Sequence, residues 1–267
     1  MNHGAFSPAA ADDTVIIRFD PVMTAGLSAA ENESPGALPA ELLFQWCAAD
    51  GILEVMQWSR QGLGADPAAC LWLSALRWYR LMNQSLPAQA PAPPTRDLDA
   101  ALHAHRDDVD RSSARSSALG LSGGDMALPH DPAQPQVIYA PALLRVVPLA
   151  LVPFVEKDTL SEWVRSAMSL THGHPDLLRA AERLTDLIRR VAVASAGPED
   201  EDHAAALDAI LDSVDADATT RSILHAQVHA CRRPPAASDT LPAPESLPGV
   251  LHTHLLRPWA EVTAPAT

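Results

Sequence analysis

Proline cuts the apolar runs of this chain before any of them can become one long element. The longest run, VIYAPALLRVVPLALVPF from Val137, carries Pro141, Pro148 and Pro153. Each removes a backbone N–H and clashes with the preceding helical turn, so the run reads as short buried helices broken by turns. Elsewhere apolar residues recur at helical spacing. Leu42, Leu43, Trp46, Ile52, Leu53, Val55 and Met56 predict one helix, interrupted only by Gly51 and ending near Gly62. Asp66-Pro67 supplies an N-cap followed by proline at the first helical position, which starts a second helix through Cys70, Leu71, Leu73, Leu76, Trp78 and Leu81. Asp158 to Leu170 and Pro175 to Ala194 are the clearest amphipathic helices, the second stopped by Gly197-Pro198. Residues 199–231 add one or two more.

The fold class read from this pattern is all-α: a compact multi-helix domain over residues 39–231, with long Pro-rich loops. Residues 1–38 read as an acidic, partly ordered arm, with Val15-Ile16-Ile17 as a short strand or a strip lying on the core. Residues 232–267 return to a Pro-rich segment packing on the domain, with a short helix around Leu251 to Leu256. Pro87 to Pro94 is a polyproline-like connector, followed by a short polar helix from Thr95 to His105. Residues 106–136 read as loop, long enough to suggest a binding or lid role.

With 47% apolar and 19% charged residues over 267 positions, the chain can bury a substantial core. Its net charge of −14 repels phosphate backbones and anionic lipid, which argues against nucleic acid and membrane as partners. The N-terminal residues MNHGAFSPAAADD lack the basic and apolar regions of a signal peptide, and no apolar run is long enough to span a bilayer, so a cytoplasmic protein is expected. Cys47, Cys70 and Cys231 are odd in number and widely spaced, which gives neither a disulfide framework nor a metal clip; reduced thiols are expected.

Several short motifs fail on context. Gly120-Leu121-Ser122-Gly123-Gly124 has the letters of a nucleophile elbow, but no strand precedes it and a proline loop follows. His225 and His229 stand one helical turn apart without the glutamate that a zinc hydrolase places between them. The pairs His103/His105, His172/His174 and His252/His254 lie outside any convincing strand, where alternate residues would share a face. Asp12-Asp13-Thr14 and Asp215-Ala216-Asp217-Ala218-Thr219 have the donors of a hard-cation site, and equally those of helix caps and a solvated surface.

Four stretches together resemble the ADP-ribosylglycohydrolase family: DGILEVMQW (50–58), ADPAACLWLSALRWYR (65–80), ALLRVVPLAL (142–151) and AMSLTHGHP (167–175). The last two are the most specific, matching the family's Met-Arg-x-Ala-Pro-x-Gly-Leu and Leu-Thr-His-x-His-Pro runs. The resemblance covers roughly residues 40–195. It implies an all-α fold, here shortened at both ends, and an activity that removes ADP-ribose from modified side chains at a two-metal Mg²⁺ site.

The departures from the family pattern bear on that activity. The family's Thr-Asp-Asp-Thr ligand motif falls on Pro39-Ala40-Glu41-Leu42, leaving Glu41 alone as a possible ligand, and the upstream Gly-Asp motif has no counterpart. The glycine-rich loop before Met-Arg falls on Val137-Ile138-Tyr139-Ala140-Pro141, whose bulk should narrow the cleft. Asp215-Ala216-Asp217 lacks the glycine of the second ligand motif and lies too close to LTHGHP. Since a binuclear centre needs several carboxylates converging on ions about 4 Å apart, no catalytic or metal residue is expected and no cofactor is implied. Glu41, Tyr139, Arg145, Thr171 and His172 are expected as remnants of ligand contact.

The function this implies is that of a lapsed hydrolase acting by protein binding, as an immunity or antitoxin protein that occludes an ADP-ribosyltransferase toxin. Its inserting elements would be the acidic arm, through Asp12 and Asp13, or the 106–136 loop, through Asp107, Asp108, Asp110 and Asp125. Two alternatives stand beside it: an active Mg²⁺-dependent hydrolase that gathers Glu41, Asp12, Asp13, Asp215 and Asp217, and an ADP-ribose binder that does not cut.

Overall fold

A computed structural model of the chain describes residues 8–194, 200–232 and 241–264. Its centre is the helix whose apolar residues run furthest round. Every residue of α2 (Ala40–Arg60) from Ala40 to Val55 is buried, as befits a helix without a solvated face. Before it come α1 (Pro8–Glu33) and the two-residue strand β1 (Leu38–Pro39); after it comes α3 (Pro67–Asn83). Asp66 caps α3 by accepting from the Ala68 N–H at 2.9 Å, with Pro67 at its first position as the sequence implies. Gly51 lets α3 approach closely: a Cβ there would stand 3.0 Å from both the Cys70 carbonyl oxygen and the Ser74 side chain.

The chain continues through α4 (Asp97–His103), a short 3₁₀ turn at 106–108, the strand β2 (Val109–Asp110), a second 3₁₀ turn at 111–114 and α5 (Arg115–Leu121). β2 pairs in parallel with β1, Leu38 opposite Val109. That pairing sets Ser113 at the start of α2, where its Oγ accepts from the Ala40 N–H at 2.8 Å. The orphan donor of a helix that Pro39 cannot cap is thereby satisfied from a distant segment. The first half of the expected 106–136 loop is therefore ordered structure, with Ala114, Ser117 and Leu121 buried.

The proline-cut apolar run behaves as read, forming a 3₁₀ stretch (Ala140–Arg145) and then α6 (Val146–Ala150). The amphipathic pair α7 (Lys157–Ser169) and α8 (Pro175–Val193) follows, then α9 (Asp200–Asp212) and α10 (Ala218–Ala230). α11 (Leu247–Leu251) passes through a π turn at His252–Leu256 into α12 (Arg257–Thr263). Pro258 cannot donate to a helical carbonyl, and widening the preceding turn absorbs the mismatch. The structure is all-α, and among the described residues no helix is long and apolar enough to cross a membrane. Cys47, Cys70 and Cys231 are free thiols, the first and last buried.

One expectation is corrected outright. Residues read as an arm form the long helix α1, which lies along α10 and buries Val15, Phe19, Val22, Met23, Leu27 and Ala30. Those positions follow a helical period, hidden in the sequence by the alanines and acids between them. Phe19 stacks on Trp259 of α12, ring centroids 3.7 Å apart, tying the two ends of the chain together.

Candidate functional site

Four buried polar residues punctuate α2, and their positions divide them into two pairs. Glu41 and Gln45 are four residues apart, as are Asp50 and Glu54; at 100° per residue the pairs fall on opposite sides of the helix. Gln45 exchanges amide hydrogen bonds with Gln227 of α10 (3.0 and 3.2 Å) and donates to the Leu144 carbonyl at 2.7 Å.

Glu41 faces Arg145, carried by the 3₁₀ stretch before α6. Both side chains are 1% exposed, with Arg145 Nη2 2.8 Å from Glu41 Oε2. Ser117 of α5 donates to the other carboxylate oxygen and accepts from Arg145 Nη2 at 2.8 Å. Arg145 Nη1 donates to Thr171 Oγ1 at 2.5 Å, and its guanidinium carbon lies 3.9 Å from the Phe44 ring centroid. The chain of bonds continues outward: His172 Nδ1 lies 2.8 Å from Thr171 Oγ1, and His172 Nε2 lies 2.8 Å from Ser116 Oγ. Because Thr171 Oγ1 already accepts from Arg145, its own proton is available to Nδ1, and the network assigns the Nε2–H tautomer donating to Ser116.

Burial, then the nearby Arg145 charge, lowers the His172 pKa to about 3, so the ring is neutral at physiological pH. Tyr139 stacks on it, centroids 5.1 Å apart, and donates its phenol hydrogen to the Ser113 carbonyl. Burial and the Glu41 charge push that phenol well above its ordinary pKa. Gln134 ties the two sides together by donating to the Ser116 carbonyl at 2.9 Å and the Thr171 carbonyl at 2.7 Å. Gly120 makes the contact possible, since a Cβ there would stand 2.6 Å from the Thr171 carbonyl oxygen.

Glu41, Tyr139, Arg145, Thr171 and His172, singled out from the sequence, thus meet in one cluster. Sequence reading missed Ser113, Ser116, Ser117 and Gln134, because DRSSARSSAL looks like a polar loop. The available signal was the helical spacing of Ala114, Ala118 and Leu121 within it.

The other candidates do not gather. Asp107 and Asp108 lie exposed on the first 3₁₀ turn, Asp110 caps the second by accepting from the Ser112 N–H at 2.9 Å, and Asp125 is exposed beyond α5. Asp13 is exposed on α1; Asp12 belongs to the same helix, its side chain outside the described residues. Ser122 donates to the Leu119 carbonyl at the end of α5, with no elbow geometry. His225 pairs with Asp208 at 2.9 Å, and His229 is exposed. Asp217 caps α10, its two oxygens accepting from the N–H (2.9 Å) and hydroxyl (2.7 Å) of Thr220. Asp212, Asp215 and Asp217 do border a shallow cavity of about 500 Å³ shared with Ile138, Tyr139 and Pro141.

The donor set does not fit the two-ion Mg²⁺ centre that the resemblance implies. Glu41 is sealed against Arg145 and Ser117, and Asp217 lies at the helix cap of α10 with Thr220, so the two do not converge with further carboxylates. Among the described residues no group of three or more His, Cys, Asp or Glu side chains could hold a metal ion.

No curated protein and no solved structure matches the chain. The model of the ADP-ribosylglycohydrolase family matches residues 12–263, from within α1 to the end of α12. The match thus takes in both the helix read as an arm and the C-terminal segment, well beyond residues 40–195. The chain belongs to the ADP-ribosylglycohydrolase family.

Proposed function

We propose that this family member acts by binding a protein partner, without hydrolysing ADP-ribosyl bonds, and that the partner is an ADP-ribosyltransferase toxin which it neutralises as an immunity protein. The observation that carries the reading is the Glu41–Arg145 pair. Glu41, the one carboxylate at the position of the family's first ligand motif, is neutralised by an internal arginine and sealed at 1% exposure. An ion at Glu41 would have to be stripped of water in a sealed site and held against the like charge of Arg145, which opposes its binding.

The surface supports a protein partner. α1, the end of α2, residues 152–155 and α12 enclose an apolar groove of about 1050 Å³. Ile17 and Phe154, 48% and 69% exposed, stand in it, with Asp13 and Asp20 on its wall. Apolar area beside carboxylates, on a chain of charge −14, suits a partner with a cationic, partly apolar face. A second reading, an ADP-ribose binder that does not cut, draws support from the 500 Å³ cavity beside Tyr139.

Two measurements separate the readings: release of ADP-ribose from ADP-ribosylarginine with Mg²⁺ present, and calorimetric titration of the chain with Mg²⁺ and with ADP-ribose. No turnover and no binding, together with inhibition of a transferase toxin by the purified chain, is the result expected. Turnover that requires Mg²⁺ overturns the proposal. ADP-ribose binding without turnover moves the assignment to the second reading.

A further inference from the structure

The opposite side of α2 carries a second buried ion network, and this one opens to the surface. Asp50 Oδ2 accepts from Arg77 Nη2 of α3 at 3.0 Å and from Arg96 Nε, at the start of α4, at 2.6 Å. Arg77 also lies 3.8 Å from Glu54 and 3.4 Å from Asp99 of α4. Asp99 in turn accepts from the Arg96 backbone N–H at 3.0 Å and lies 3.8 Å from Arg80. Arg106, which donates to the Gln84 side-chain carbonyl and lies 3.9 Å from Asp107, brings the set to four guanidinium groups and four carboxylates.

The guanidinium groups have donors to spare. The Arg77 side chain is 0% exposed; its Nη1 and Nε face Glu54 and Asp99 as ion pairs without completing hydrogen bonds, and the buried Nε of Arg106 makes none either. Buried charged donors without acceptors are costly, and native structures seldom leave them so. Arg77, Arg80 and Arg106 line a cavity of about 690 Å³, with Gln84, Thr95 and His103 around them. Its size lies within the range of small-molecule sites. Asp99 is in the wall, but its carboxylate is already engaged by Arg77, Arg80 and the Arg96 N–H.

We propose that this cavity binds the phosphate group of a small phosphorylated molecule. Three guanidinium groups approaching from α3 and from the turn after α4 suit a tetrahedral oxyanion, whose several oxygens each accept charge-assisted hydrogen bonds. Arg80, 34% exposed with a single carboxylate at 3.8 Å, and Arg106 are the groups placed to meet it, with the buried Arg77 charge behind them. Elsewhere the chain is acidic, so recognition rests on these groups at close range, not on long-range attraction. The site shares no residue with the Glu41–Arg145 cluster, and its test stands apart from the question of hydrolysis.

Inorganic phosphate, phenyl phosphate and benzoate are titrated calorimetrically into the full chain and into R80Q and R106Q. Arg80 and Arg106 are 34% and 19% exposed, so both variants should fold. Both phosphates bind the parent chain, phenyl phosphate more tightly than benzoate, and each substitution weakens phosphate binding about tenfold. Circular dichroism and Tm confirm that the variants are folded. No phosphate binding to the parent chain, binding unchanged in both folded variants, or benzoate binding as tightly as phenyl phosphate overturns the proposal.

Discussion

The two sides of α2 use the same device to different ends. On each, a carboxylate of the central helix meets an arginine from a neighbouring element, Glu41 with Arg145 and Asp50 with Arg77. Around Arg145, the hydroxyls of Ser117 and Thr171 accept from both terminal nitrogens and the Phe44 ring lies beneath; Nε makes no hydrogen bond, but the pair is closed, sealed at 1% exposure. Around Arg77, three carboxylates are shared among several arginines, two of its nitrogens make no hydrogen bond, and the network borders a cavity. A closed pair organises helices; an open one has capacity left for a ligand. Glu41, which the family resemblance sets against the first ligand motif, lies on the closed side.

The sharpest way to break this comparison is to remove the arginine from the closed pair. Arg145→Leu leaves Glu41 charged and buried among apolar helices, and should cost about 3–5 kcal/mol in urea denaturation. The double variant Glu41→Leu/Arg145→Leu should cost less than that single change, since no charge is then stranded. A single variant within 1 kcal/mol of the parent would show that the pair does not hold α2 to the turn before α6. On the open side, Asp50→Asn should cost about 2–3 kcal/mol, because Arg77 keeps Glu54 and Asp99 at hand. If Asp50→Asn proved costlier than Arg145→Leu, the contrast between closed and shared networks would be reversed.

How much of this was legible follows from the range of the interactions. The helices α2, α3, α4, α6, α7 and α8 declare themselves through local spacing, caps and prolines. Family resemblance marks five members of the Glu41 cluster. It does not mark the serines of α5, since a short helix written SSARSSAL owes its place to pairing of β2 with β1 and to burial against α2, α3 and the turn after α7, which no local pattern encodes. α1 was missed for a related reason: its apolar stripe is thin, and only packing along α10 makes it a core helix. The open network was invisible because Asp50, Arg77 and the neighbouring Arg96 and Asp99 come from three separate stretches of sequence and look, one at a time, like ordinary surface charges.

The closed cluster also predicts a pH dependence. His172 has a pKa near 3 in the folded chain and about 6.5 when unfolded. Between those values the unfolded state binds a proton that the folded state does not, so stability falls as pH is lowered through this window, by up to about 1.4 kcal/mol per unit. Carboxylates titrate in the lower part of the same range, so the informative quantity is the difference between the parent chain and His172→Gln. That difference should change by about 2 kcal/mol between pH 7 and pH 5, measured by urea denaturation at each pH. A flat difference would mean that His172 is solvated in the folded chain and that the cluster is open after all.

Tyr139 decides what keeps the cluster closed, and its substitutions carry the smallest effects. Tyr139→Phe loses only the hydrogen bond to the Ser113 carbonyl and should cost about 1 kcal/mol, leaving the ring over His172 and the histidine neutral. Tyr139→Ala removes the ring and lets water reach the imidazole, while Arg145 stays behind it. Desolvation is the larger cause of the lowered pKa, so His172 in this variant should titrate well above 3, toward the ordinary histidine range, as followed by the shift of its ring proton in NMR. A histidine that stays neutral at pH 5 in Tyr139→Ala would place the barrier to water in α5 and the Thr171 turn, and would make Tyr139 a wall of the adjoining cavity only.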